Sequence, residues 1–207
     1  MNHVVLLGDS IFDNEVYVPP GQAVIDHFRR VLPSRWKATL LGVDGAVTTD
    51  LPQQLLHLPD NPTHLYISIG GNDALQASAI LNEEVSNVAE ALTKLASLRD
   101  DFLARYTAVL SEAQATGLPV CVCTIYNARP YGSDSANSAA WTALSLFNDC
   151  IIRSARKFNF GVIELRDICC DEEDFAAVSP IEPSAVGGAK IASAVVESVQ
   201  KVGLRSA

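Results

Sequence analysis

Mostly apolar, strand-like runs alternate along this chain with segments in which apolar residues recur every three or four positions. The runs are His3 to Leu7, Trp36 to Val43, Thr63 to Ile69, Val120 to Ile125 and Phe160 to Leu165. Short apolar runs bounded by Gly, Pro or polar residues predict strands buried on both faces, as in a parallel sheet covered by helices. Between them, Val24, Ile25, Phe28 and Val31 share one helical face over Gln22 to Val31, and a short helix is predicted across Leu51 to Leu58. Val85, Val88, Leu92 and Leu95, then Phe102, Tyr106, Val109, Leu110 and Ala113, predict two helices between Glu83 and Thr116, with Arg99-Asp100-Asp101 as the break between them. A further helix is expected over Ala139 to Phe158. A last one covers Ala185 to Val202, with Ile191, Val195 and Val199 four residues apart. The piece from Arg166 to Glu182 shows no period, and its acidic run Asp171 to Asp174 reads as a solvated loop.

Five strands alternating with helices predict a parallel sheet with right-handed crossovers. The expected architecture is a flavodoxin-like three-layer α/β/α sandwich with strand order 2-1-3-4-5, whose ligand site lies at the carboxyl ends of the strands, between the first and third. A length of 207 residues suits a single domain over 1–207.

Composition narrows the classes of function. Hydrophobic residues make up 48% and charged residues 19%, far from the signature of disorder. A net charge of −9 argues against nucleic acid or an anionic membrane surface as a main partner. The five cysteines, 121, 123, 150, 169 and 170, show no zinc-type spacing, and most read as reduced core residues. No metal or other cofactor is expected. No apolar stretch approaches the length of a membrane span and no signal-peptide pattern precedes the first strand, so the chain reads as cytoplasmic.

The candidate chemistry sits in three loops. Gly8-Asp9-Ser10 follows the first strand, Asp44-Gly45 the second, and Gly70-Gly71-Asn72-Asp73 the third, and the predicted strand order brings all three to one edge. Ser10 alone also suits a helix cap. The first turn carries an acid, Asp9, where a phosphate binder would have a glycine-rich cradle, which disfavours a nucleotide site. With these blocks in register, the chain resembles the SGNH (GDSL-type) esterase and lipase superfamily. The resemblance implies Ser10 as nucleophile in an acyl-enzyme mechanism on a small-molecule ester. It also implies an oxyanion hole made by the backbone N–H groups of Ser10 and Gly45 and the side-chain amide of Asn72. Such donors stabilise negative charge that develops in the transition state.

The fourth block departs from that pattern. The superfamily places Asp-x-x-His before the last helix, and here stands Ser179-Pro180-Ile181-Glu182, so Glu182 occupies the histidine position and Ser179 the aspartate position. All four histidines, His3, His27, His57 and His64, precede residue 65. Three explanations stay open. Glu182 is itself the base; or the protein is a catalytically inactive acyl- or glycan-binding relative; or the base comes from elsewhere, such as a carboxylate among Asp171 to Asp174. Leu75, Ile80, Tyr126 and Tyr131, expected on loops after the third and fourth strands, are candidates for lining a substrate cleft.

Overall fold

The computed structural model describes residues 2–203. The five predicted strands are β1 (His3–Gly8), β2 (Lys37–Leu40), β3 (His64–Ser68), β4 (Val120–Cys123) and β5 (Gly161–Ile163). They form one parallel sheet in the order β2-β1-β3-β4-β5. In β1 successive side chains point to opposite faces, and Val4, Val5, Leu6 and Leu7 are all fully buried. Val4 and Leu6 pack with Val24 and Phe28 of α1 (Val24–Val31) and with Ile191 and Val195 of α6 (Ala185–Gly203). Val5 and Leu7 pack with Phe102, Tyr106 and Leu110 of α4 (Val88–Ala115) and with Phe147 and Ile151 of α5 (Asp134–Lys157). A strand apolar on both faces therefore has a helical layer on each, which is the expected α/β/α sandwich.

Three local expectations need correction. Arg99-Asp100-Asp101 does not break the helix: α4 runs without interruption through it. Arg99 and Asp100 pair with each other at the exposed surface, at 2.8 Å, while Phe102 and Tyr106 continue the buried face, so the charges mark a solvent side rather than an end. The segment Gly71–Ala77 forms a helix, α3, followed by a 3-10 turn over Ser78–Asn82, which places Leu75 and Ile80 on helical structure instead of loops. The short helix α2 (Leu51–Leu55) precedes it in the chain as predicted.

The third correction concerns Arg166 to Glu182. Far from being a solvated loop, it folds into two 3-10 turns and an antiparallel hairpin of β6 (Phe175–Ala176) and β7 (Ser179–Pro183). Asp174 is completely buried there. Its Oδ2 accepts from the backbone N–H groups of Cys170 and Asp171, both at 3.0 Å, and Lys190 Nζ lies 2.7 Å from its Oδ1. A buried carboxylate persists when paired and hydrogen-bonded in this way. Among the described residues no helix is long and apolar enough to cross a membrane.

Candidate active site

Ser10 is held at the carboxyl end of β1 by a turn that only glycine permits. Gly8 has φ +125°, and a Cβ there would stand 1.8 Å from the carbonyl oxygen of Ser68. That proximity lets the Asp9 N–H donate to the same Ser68 carbonyl at 3.0 Å, which pins the turn to β3. Gln54 of α2 clamps the glycine from the other side: its Oε1 accepts from Gly8 N–H at 2.7 Å and its Nε2 donates to Gly8 O at 2.8 Å. The Phe12 and Asp13 N–H groups then donate to Asp9 O, so the chain enters a helical turn directly after Ser10.

The second and third loops meet beside it. Gly45 has φ +80° with open space where a Cβ would stand. Asn72 Nδ2 donates to the Ala46 carbonyl at 2.9 Å, which ties α3 to the loop carrying Gly45. An amide has two N–H donors, and this bond uses one. Asp73, the next residue, accepts from Thr48 N–H and Oγ1–H at 2.8 and 2.9 Å and locks the same junction. Among the described residues, the backbone N–H groups of Ser10 and Gly45 donate to no protein acceptor.

Glu182 reaches the same place from β7. It is 5% exposed, and its Oε2 is buried with no hydrogen-bond partner. Burial raises its pKa above the ordinary carboxylate range; the nearby Ser10 hydroxyl opposes this, and the charge of Asp44 adds to it. The peptide on either side of Glu182 is gripped. Tyr126 Oη donates to Ile181 O at 2.8 Å, and Asn14 Nδ2 donates to Pro183 O at 3.0 Å. Asn14 is fully buried and also accepts from Val24 N–H at the start of α1, at 2.9 Å. The Tyr126 ring stacks edge-on against Phe175 of the partner strand β6, with centroids 5.1 Å apart.

Asp9 is the third carboxyl group of the site. It is pushed up to about 8, chiefly by burial and further by the charges of Glu182 and Asp73, against the Ile11 N–H that donates to it. At neutral pH it is therefore mostly a neutral acid. Tyr17, whose hydroxyl donates to Asp44 Oδ2 at 2.8 Å, is pushed up to about 12 by that bond.

A cavity of about 130 Å³ opens beside these groups, with Ser10, Asn72 and Glu182 in its wall. All four of the cleft residues expected from the sequence, Leu75, Ile80, Tyr126 and Tyr131, line it. Walls that sequence reasoning missed come from Leu95 and Leu98 of α4 and from Trp141, Leu144 and Phe147 of α5. Their spacing of three residues was legible as a helical face, but not that the face borders a void.

None of the four histidines lines this cavity. His3 bonds Thr39 at the opposite, amino end of the sheet, His64 bonds Thr63 and stacks on Trp36, and His57 bonds Gln53 O. His27 lies on α1, where it would be 3.7 Å from a Cβ added at Gly188 of α6. No carboxylate from 171–174 lines the cavity either, and those of Asp171 and Asp174 engage Lys190.

Comparison with known proteins bears on family and fold. The model of the GDSL-like Lipase/Acylhydrolase family matches residues 6–188. No curated protein sequence matches the chain. Among solved structures, phospholipase A1 from Streptomyces albidoflavus NA297 superposes with a TM-score of 0.70 at 17% identity, covering 96% of this chain and 98% of that one. A lipase/acylhydrolase from Enterococcus faecalis gives 0.69 at 18% identity over 97% and 96%, and an extracellular lipase from Streptomyces rimosus gives 0.65 at 16% over 97% and 99%. At these identities the likeness is one of fold.

Proposed function

The chain belongs to the GDSL-like lipase/acylhydrolase family, and we propose that it hydrolyses carboxylic esters through an acyl-enzyme on Ser10, with Glu182 as general base. The observation that carries this reading is the buried Glu182 carboxyl group near the Ser10 hydroxyl, both in the wall of one cavity. A carboxylate of ordinary pKa is a weak base towards a hydroxyl, and base strength rises with pKa. Burial supplies that increase at Glu182.

In the proposed reaction the Ser10 oxygen bonds to the ester carbonyl carbon while its proton passes to Glu182. The carbonyl oxygen gains the negative charge and meets the N–H groups of Ser10 and Gly45 and the second amide proton of Asn72. Each such donor is worth on the order of 3 kcal/mol in the transition state. Collapse breaks the carbon–alkoxide bond, and the leaving alcohol takes the proton from Glu182. Water then gives a proton to Glu182 and attacks the acyl-enzyme, and the departing Ser10 oxygen recovers that proton as the carboxylic acid leaves.

The test is hydrolysis of a short-chain p-nitrophenyl ester. Ser10→Ala is expected to abolish turnover and Glu182→Gln to lower kcat by about 10²- to 10⁴-fold. An unchanged rate in Glu182→Gln would show that the proton goes elsewhere. A second reading, a non-catalytic acyl-binding protein on the same site, is favoured by one feature: no side chain hydrogen-bonds Glu182 Oε2 to orient it. Rapid stoichiometric labelling of Ser10 by a fluorophosphonate eliminates that reading.

A further inference from the structure

The cavity at Ser10 is walled by a few polar groups and many apolar side chains, and the chemistry needs only the first. Ser10, Asn72 and Glu182 are the polar groups it uses. Beyond them the walls are Leu75 and Ile80 after β3, Leu95 and Leu98 of α4, and Leu144 and Phe147 of α5. Asp9 and Glu182 are the only carboxyl groups among the lining residues and most of the rest are aliphatic or aromatic, so a sugar or polyol finds few partners for its hydroxyl groups, whereas a hydrocarbon chain loses nothing on entering.

The size sets a length. An apolar cavity of about 150 Å³ takes one benzene, six carbon atoms, so a cavity near 130 Å³ holds about five. Resting on the hydrolase reading, we propose that this cavity is an acyl-chain pocket and that the enzyme selects esters whose acyl group has about six carbons, the carbonyl included, over acetyl esters and glycan-borne groups. Each methylene moved from water into an apolar wall favours binding by about four-fold. Four methylenes separate acetyl from hexanoyl, so a preference on the order of 100-fold is expected once incomplete burial is allowed for. Longer chains extend past the walls and add no further gain.

The experiment measures kcat/KM for p-nitrophenyl acetate, butyrate, hexanoate, octanoate and dodecanoate, with Ser10→Ala as control. It is repeated on Ala143→Leu, which adds bulk to the α5 wall, and on Leu144→Ala, which removes it. The expected profile rises to hexanoyl and levels off by octanoyl, with the break shifted to shorter chains in Ala143→Leu and to longer ones in Leu144→Ala. Ser10-dependent turnover that peaks at acetyl, or climbs unbroken to dodecanoyl, overturns the pocket while leaving the hydrolase intact. If no ester shows Ser10-dependent turnover, the hydrolase reading fails, and calorimetry with neutral N-methylhexanamide and N-methylacetamide decides the pocket. Tighter binding of the hexanamide, weakened by Ala143→Leu, upholds it, and equal binding of the two amides overturns it.

Discussion

The hydroxyl of Tyr126 donates to the carbonyl of Ile181, 55 positions away in sequence and one residue before Glu182. With Asn14 holding Pro183 O on the other side, the backbone of Glu182 is fixed by two buried side chains although its own Oε2 has no partner. Removing the Tyr126 hydroxyl leaves a buried carbonyl unpaired, at a cost of about 1–3 kcal/mol. Under the proposed mechanism Tyr126→Phe lowers kcat several-fold with little change in KM, and Asn14→Ala does the same with a larger drop in stability because it also frees Val24 N–H. Steady-state kinetics and thermal unfolding check both. A fall in stability without any change in kcat would make the clamp purely structural.

Asp9 makes stability depend on pH in an unusual direction. Its folded-state pKa is raised to about 8, so at pH values between the ordinary carboxylate value and 8 the folded protein keeps a proton that the unfolded chain has released. Stability is therefore full below the unfolded pKa and declines as pH rises to about 8, and Glu182, also raised by burial, adds to the same trend. Asp9→Asn removes the Asp9 share. The variant is expected to match the parent near pH 4 and to exceed it by on the order of 3–5 kcal/mol at pH 8. Urea unfolding at several pH values reads this, and parallel curves for the two proteins would contradict it.

Two glycines of the site differ sharply in what they tolerate. Gly8→Ala drives a methyl group into the Ser68 carbonyl and is expected to cost more than about 4 kcal/mol or to prevent folding. Gly45→Ala meets open space and costs only the left-handed backbone conformation, about 1–2 kcal/mol. Soluble expression and circular dichroism separate the two. The folded Gly45→Ala protein then shows whether a methyl beside that N–H lowers kcat.

Lys190 compensates a carboxylate that has no exposure at all. Replacing it by Met leaves the buried Asp174 carboxyl group supported only by two backbone N–H groups. A loss of stability is expected, smaller than for a fully buried pair because Lys190 is partly exposed. Adding Asp174→Asn to Lys190→Met is expected to recover part of that loss, as a double-mutant cycle in urea will show.

What was legible in the sequence is what depends on local pattern. Continuous runs such as Val4 to Leu7 announced buried strands, and their order followed from alternation with helices. Ser10, Gly45 and Asn72 were nominated because their segments follow consecutive strand ends and match blocks of the superfamily the chain resembles, and Glu182 because it stands at the histidine position of the block before the last helix. The hairpin of β6 and β7 was invisible because its strands are two and five residues long and carry no alternation. Asp174 was misread for a related reason: a lone acid in an acidic run looks solvated, and only Lys190, sixteen residues on, shows that it is not. The roles of Tyr126 and Asn14 depend on partners 55 and 169 positions away, which no window of sequence contains.

The residues of the candidate site are carried by two separate pieces of architecture. Ser10 and Gly45 stand on loops after strands of the five-stranded sheet and Asn72 in the first turn of α3 after β3, whereas Glu182 stands on a small hairpin that shares no backbone ladder with the sheet. A substitution at position 182 therefore leaves the hydrogen bonds that shape the Ser10 turn untouched. Under the proposed mechanism the proton acceptor is thus an interchangeable part, and a glutamate at the position where the superfamily pattern has histidine needs no redesign of the half that binds the electrophile.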